Sequence, residues 1–176
     1  WVTTSDGLKQ RNTVVEGNVN TVLGRNDLTF GAEARWIELS SPEEFLETGA
    51  ASVQQQAAYA QNQFTISPAL QLLAGARLDH HESFGLHLTP RGYLVFTPIP
   101  QLTLKGGVGT AFKAPTLRQL SDESLTPSCR GSCVIVGNPD LSPETSVSYE
   151  LSANLSGNGW AATLTGFQND IDNLID

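Results

Sequence analysis

Residues 70–79 read LQLLAGARLD and residues 86–96 read LHLTPRGYLVF, and both keep a period of two. In the first, Leu70, Leu72, Ala74, Ala76 and Leu78 alternate with Gln71, Leu73, Gly75, Arg77 and Asp79. In the second, Leu86, Leu88, Pro90, Gly92, Leu94 and Phe96 alternate with His87, Thr89, Arg91, Tyr93 and Val95. Successive side chains of an extended strand point to opposite faces. Each stretch therefore predicts a β-strand with one apolar and one wetter face.

The same rule extends outward along the chain. Leu28, Phe30, Ala32, Ala34 and Trp36 oppose Thr29, Gly31, Glu33 and Arg35, and Leu102, Leu104, Gly106 and Val108 oppose Thr103, Lys105, Gly107 and Gly109. From Thr145 the parity switches, with Val147, Tyr149, Leu151, Ala153 and Leu155 on the apolar side. Segments 13–23 and 160–169 follow less sharply and 52–66 is ambiguous, which makes eight candidate strands. Turn chemistry at Gly24–Asp27, Ser67-Pro68, Thr97–Pro100 and Gly157–Gly159 gives short connections. Those between them are mostly longer, at 41–51 and 113–143, with 83–85 short. Short turns at one end and longer loops at the other form the pattern of an outer-membrane barrel. Alternation alone leaves a soluble β-sandwich equally open, because a dry core and a lipid face read alike. Trp36, Phe96 and Phe112 near strand ends fit an interfacial aromatic girdle.

The longest connection lies within Gly106–Glu144, which opens GGVGTAFKAPTLRQL and closes VGNPDLSPET. It reads as irregular, with at most a helical turn at Thr116–Leu120. A connection of this length in a compact domain usually carries function. Cys129 and Cys133 sit in it, flanked by glycine and serine. In an exported protein this spacing predicts a small local disulfide, and no further Cys or His lies nearby to complete a zinc site.

Composition narrows the function classes. The 176 residues carry a formal charge of −8, which argues against nucleic acid as a partner. No apolar run approaches a transmembrane helix, although a spanning strand needs only about ten residues. Trp1 begins in mid-pattern without a signal peptide and the chain stops at Asp176 in NDIDNLID, so it reads as a piece of a longer protein.

Three constellations invite chemistry. With Ser83-Phe84-Gly85 as the hairpin loop, His81 falls opposite His87 and Asp79 opposite Thr89. Those two imidazoles and Asp79 would share one face where a transition metal could sit, but solvated rim histidines are the favoured reading and no metal is assigned. The same register sets Arg77 opposite Arg91, a like-charge pair that needs neighbouring carboxylates, a plug or an anionic ligand to neutralise it. Lys113, Arg118 and Arg130 bring positive charge to the long loop, diluted by Asp122, Glu123 and Asp140. The glycines at 106, 107 and 109 are followed by Ala114-Pro115 and not by a helix, so they are not a phosphate loop. No nucleophile arrangement is present, and the chain is not read as an enzyme.

GTAFKAPTLRQL followed by GNPDLSPETSVSYEL resembles the barrel of TonB-dependent outer-membrane receptors, in the branch taking up ferric siderophores of the enterobactin and colicin-receptor type. LTFGAE from Leu28, AGARLD from Ala74, Thr89-Pro90-Arg91 and QNDIDNLI from Gln168 are similar to further segments of that family, in family order. Ser142 stands where the family often has a basic residue. The resemblance implies an all-β fold, an antiparallel transmembrane β-barrel segment contributing about eight strands of a 22-stranded barrel. Short turns would face the periplasm, long loops the exterior and the apolar face outer-membrane lipid. On this reading residues 1–176 are a partial barrel, lacking the plug domain through which TonB acts and the C-terminal strands. The ferric siderophore is the transported ligand and no resident cofactor is implied. Candidate ligand residues are Lys113, Arg118 and Arg130 of the loop and Arg77 and Arg91 of the inner face. The alternatives are a receptor for haem, cobalamin or another substrate of the family, a soluble secreted β-sandwich binding module, and a small closed eight-stranded barrel.

Overall fold

The computed structural model describes every residue except 1, 6, 42–44, 46, 47, 124 and 176. Its main feature is one antiparallel sheet whose spatial order follows chain order. A short β1 (Val2–Ser5) leads into long strands β2 (Leu8–Leu23), β3 (Asn26–Ser40), β4 (Ala50–Ser67) and β5 (Leu70–His81). β6 (Gly85–Ile99) and β7 (Leu102–Lys113) follow. Inside the long loop come a helical turn α1 (Leu117–Leu120) and a separate hairpin, β8 (Leu125–Ser128) with β9 (Cys133–Val136). β10 (Glu144–Gly157) and β11 (Trp160–Asp172) complete the sheet.

The alternation of the sequence has become the two faces of this sheet. The ambiguous stretch at 52–66 lies within β4, which pairs with β3 and β5 along its length. The parity switch at 145 is met by the β7–β10 register, where Tyr149 faces Val108 and Leu151 faces Gly106. Eight long strands form the sheet, β1 adding only a short edge, and tight turns alternate with longer loops.

Among the described residues, none packs over one face of the sheet. Val19, Leu88 and Leu151 are each more than 60% exposed. That much bare leucine and valine on a continuous face is unfavourable in water and suits hydrocarbon. A sandwich would set a second sheet against this face; the only other sheet among the described residues is the β8–β9 hairpin. Closure as a small complete barrel is excluded as well, because β1 and β11 are the two edges and do not pair with each other. On β10 the outward apolar run from Val147 to Leu155 spans about 26 Å at ~3.3 Å per residue, the height of a bilayer's apolar band. Of the three expected girdle aromatics, Trp36 and Phe96 are partly exposed. Phe112 instead stacks on His87 at a ring separation of 3.8 Å.

The opposite face is concave and wet. Its buried apolar side chains among the described residues, Leu39, Val53 and Ala57, gather towards the end that carries the long loops, where Phe45 of the loop at 41–49 is buried as well.

The β5–β6 hairpin departs from the expected register by two residues. His81 pairs with Gly85, Asp79 with His87, Arg77 with Thr89 and Gly75 with Arg91. The Phe84 N–H donates to the His81 carbonyl at 3.2 Å, closing the turn one residue earlier than expected. Gly85, at φ +74°, carries the positive angle that returns the chain to the ladder.

The long loop is also more structured than its composition suggests. Thr116 caps α1 reciprocally with Gln119, and Cys129 and Cys133 close the β8–β9 hairpin through a disulfide. Gly137 returns against the carbonyls of Arg118, Gln119 and Ser121, where a Cβ would have no room. Asn138 N–H donates to the Gln119 carbonyl at 2.6 Å.

Candidate functional site

The inner face carries the charge, and small residues decide how that charge is arranged. Ala57 on β4 lies between Glu33 of β3 and Asp79 of β5, in register with both. Its single methyl leaves space for Arg77 to reach across β4. The Arg77 guanidinium meets Asp79 at 2.9 Å and Glu33 at 3.4 Å, while Arg35 meets the same Glu33 oxygen at 3.1 Å. Gly31 on β3 does the same for Tyr59, whose ring covers it and whose hydroxyl donates to Glu16 of β2 at 3.1 Å. Tyr93 lies over Gly107 in the same manner. Glu16 and Glu33 stand directly opposite, a like-charge pair relieved by Tyr59 on one side and two arginines on the other.

The expected opposition of Arg77 and Arg91 is therefore corrected. The shifted register puts Arg77 beside Thr89, whose hydroxyl donates to the Arg77 carbonyl at 3.2 Å. Arg91 donates instead to Gln61 of β4. The expected facing of His81 and His87 fails for the same reason. His81 is 2% exposed, its Nδ1 accepts the Ser83 N–H at 3.1 Å, and its ring packs on Phe84. Burial holds its pKa below the ordinary 6.5, with His87 and His80 acting in the same direction and Glu82 against them. His87 stacks on Phe112 and its Nε2 lies 3.1 Å from the Phe84 carbonyl. Asp79 is occupied by Arg77. Among the described residues no three His, Cys, Asp or Glu side chains gather as a metal site.

Above this network lies a cavity of about 800 Å³. Glu33, Arg35, Arg77 and Asp79 line it from the strands, and Lys113 and Arg118 from the start of the long loop. Thus the cavity brings three of the five expected ligand residues together: Arg77, Lys113 and Arg118. Arg91 borders a neighbouring hollow with Glu16, Tyr59 and Gln61. Arg130 is exposed at the tip of the β8–β9 hairpin, outside the cavity. Sequence reasoning missed Arg35, whose place was signalled by its parity with Glu33 two residues earlier.

The foot of the loop is fastened by Glu144. Its carboxylate accepts from Lys113 Nζ at 3.0 Å and from the Ile175 N–H at 2.9 Å. Those two bonds, the Ile175 amide first, hold its pKa below the ordinary 4.5. Glu144 lies three residues beyond Val147, outside the apolar band of β10. Farther out, the N–H and hydroxyl of Thr48 both donate to Glu123 at 3.1 Å, joining the loop at 41–49 to the long one.

Comparison with known proteins agrees with this architecture. The family described as TonB dependent receptor-like, beta-barrel, matches residues 2–176. An iron-regulated outer membrane virulence protein of Vibrio cholerae is 37% identical over 167 residues, covering 93% of this chain and 25% of its own length. PirA, a ferric enterobactin receptor of Pseudomonas aeruginosa, is 36% identical over 129 residues, or 68% of this chain and 17% of that protein. Its crystal structure superposes with a TM-score of 0.87 at 33% identity, covering 93% of this chain and 32% of the solved one. The vitamin B12 transporter BtuB of Vibrio cholerae is 32% identical over 180 residues, covering 98% of this chain and 26% of its own. The chain thus spans about a quarter or less of these curated relatives. With its one-layer sheet, lipid-suited outer face and charged concave interior, the chain belongs to the family of TonB-dependent receptor β-barrels.

Proposed function

We propose that the protein containing this barrel wall is an outer-membrane receptor that takes up a ferric siderophore, energised through TonB acting on a plug domain. The observation that carries the reading is the arginine-lined cavity under the long loop, in a wall similar to that of a ferric enterobactin receptor. Catecholate chelates of iron are anionic, and planar guanidinium groups suit their oxygens. Arg77, Lys113 and Arg118 would meet such a ligand at the cavity, Arg130 would meet it at the hairpin tip, and Arg91 deeper in the lumen. The wall is read as one part of a barrel of about 22 strands, and as a transport surface without enzymatic chemistry.

The test is uptake by the full-length parent in cells lacking their own siderophore receptors. Radiolabelled iron would be offered as a catecholate and as a hydroxamate chelate, with and without TonB. TonB-dependent uptake of the catecholate is the expected result. The likeness to BtuB favours a second reading, cobalamin as the ligand. Outer-membrane insertion with cobalamin uptake and no iron uptake would decide for it.

A further inference from the structure

We propose that Glu144 is the positioning residue of the loop at 114–143, a carboxylate clamp that sets the loop's foot where ligand must bind; the ligand part rests on the receptor reading above. The outer end of β7 is held by its backbone ladder on one side only. The β6–β7 ladder runs from Ile99 opposite Leu102 to Arg91 opposite Gly109 and stops there. Pro90 has no N–H to continue it. Beyond that point, among the described residues, the Thr110 hydroxyl on the Pro90 carbonyl, at 3.3 Å, and the stack of His87 on Phe112 connect the two strands. From Thr110 to Lys113, β7 has its backbone ladder with β10 alone.

The loop therefore stands on a two-stranded stalk. Glu144 ties that stalk at its top. It is the first residue of β10, pairs in register with Lys113, the last residue of β7, and is 9% exposed. One carboxylate oxygen holds Lys113 across the mouth of the loop, and the other holds the Ile175 N–H beyond β11. Asn173 adds a contact to the Pro143 carbonyl at 3.4 Å. Three chain segments thus meet on one nearly buried side chain, and the loop that leaves from this point carries Arg118 into the cavity. Hydrogen bonds to a charged group are the stronger kind, and removing one partner leaves the others unsatisfied.

The experiment uses the full-length receptor in lipid nanodiscs, with amide hydrogen exchange and titration with an iron(III) tris-catecholate. Glu144→Ala is expected to speed exchange at Ile175 and across 110–118 about tenfold and to weaken chelate binding about tenfold. Glu144→Gln keeps an acceptor for Ile175 and loses the charge, so it should loosen 110–118 while protecting Ile175. Lys113→Met should reproduce the Gln pattern of exchange, but because Lys113 also lines the ligand cavity it is Glu144→Gln whose chelate affinity decides the positioning role if the alanine variant does not assemble. Unchanged exchange in all variants overturns the clamp. Faster exchange with unchanged affinity overturns the positioning role. A wild-type receptor that binds no ferric chelate overturns the functional reading, and exchange at Ile175 then decides the clamp on its own.

Discussion

Ala57 contributes a single methyl to the lumen network, and the reach of Arg77 depends on it. It lets Arg77 bridge Asp79 and Glu33 across an intervening strand. Ala57→Leu is expected to part those ion pairs and overpack a site that is 8% exposed. The cost should be about 1–3 kcal/mol, read by urea unfolding of the full-length barrel in vesicles. An unchanged midpoint would show that Arg77 finds its partners by another route. His81 carries a pH prediction. Its folded pKa lies below 6.5 because of burial, so its contribution is full above that value and is lost as pH falls through the lower folded one. Protonation also removes the Nδ1 acceptor of the Ser83 N–H. Between pH 7.5 and 5 the Ser83 amide should lose protection, and His81→Phe should abolish the pH dependence. At this scale the sequence revealed which face each charge occupies, since parity alone determines it. It did not reveal which residue stands opposite which. A two-residue slip preserves parity, so the facings of Arg77 and Arg91 and of His81 and His87 were legible only once the positive φ of Gly85 had set the turn.

Among the elements, the long strands were readable, as were the helical turn at Thr116–Leu120 and the cysteine pair of the long loop; the hairpin that the pair closes was not. Each long strand repeats its alternation often enough to stand out. β8 and β9 have four residues each and β8 contains Pro127, which is too little pattern to announce a hairpin. The close approach of Gly137 to the carbonyls behind α1 is a tertiary fact with no local signal beyond the glycine itself. The disulfide at 129 and 133 closes a loop so short that its stabilising effect should be about 2 kcal/mol and local. Replacing both cysteines with serine should raise hydrogen exchange across 125–136. Barrel assembly, judged by heat-modifiable mobility on a gel, should not change. A barrel that failed to assemble without the bridge would give the hairpin a folding role that its contacts do not suggest.

For the whole molecule, the two faces predict opposite tolerances. Leu151 lies midway along the outward run of β10 and is 69% exposed. Leu151→Arg in the full-length receptor should cost about 2–4 kcal/mol of stability in bilayers. Ser148→Arg, on the lumen side opposite Gly109, should cost far less. Equal penalties would mean that the faces have been exchanged. Expressed alone, residues 1–176 should aggregate unless detergent is present, because both edge strands keep open hydrogen-bonding rows beside apolar surface. The interrupted ladder between β6 and β7 also bears on the rim of the barrel. A closed cylinder of strands has a fixed girth, each pairing contributing about 4.8 Å. Where one pairing ends at Arg91 and Gly109, the girth above it is no longer prescribed by backbone bonds. Up to that rung the spacing of this wall is set by main-chain bonds, and above it by side chains: the Thr110 hydroxyl on the Pro90 carbonyl and the stack of His87 on Phe112.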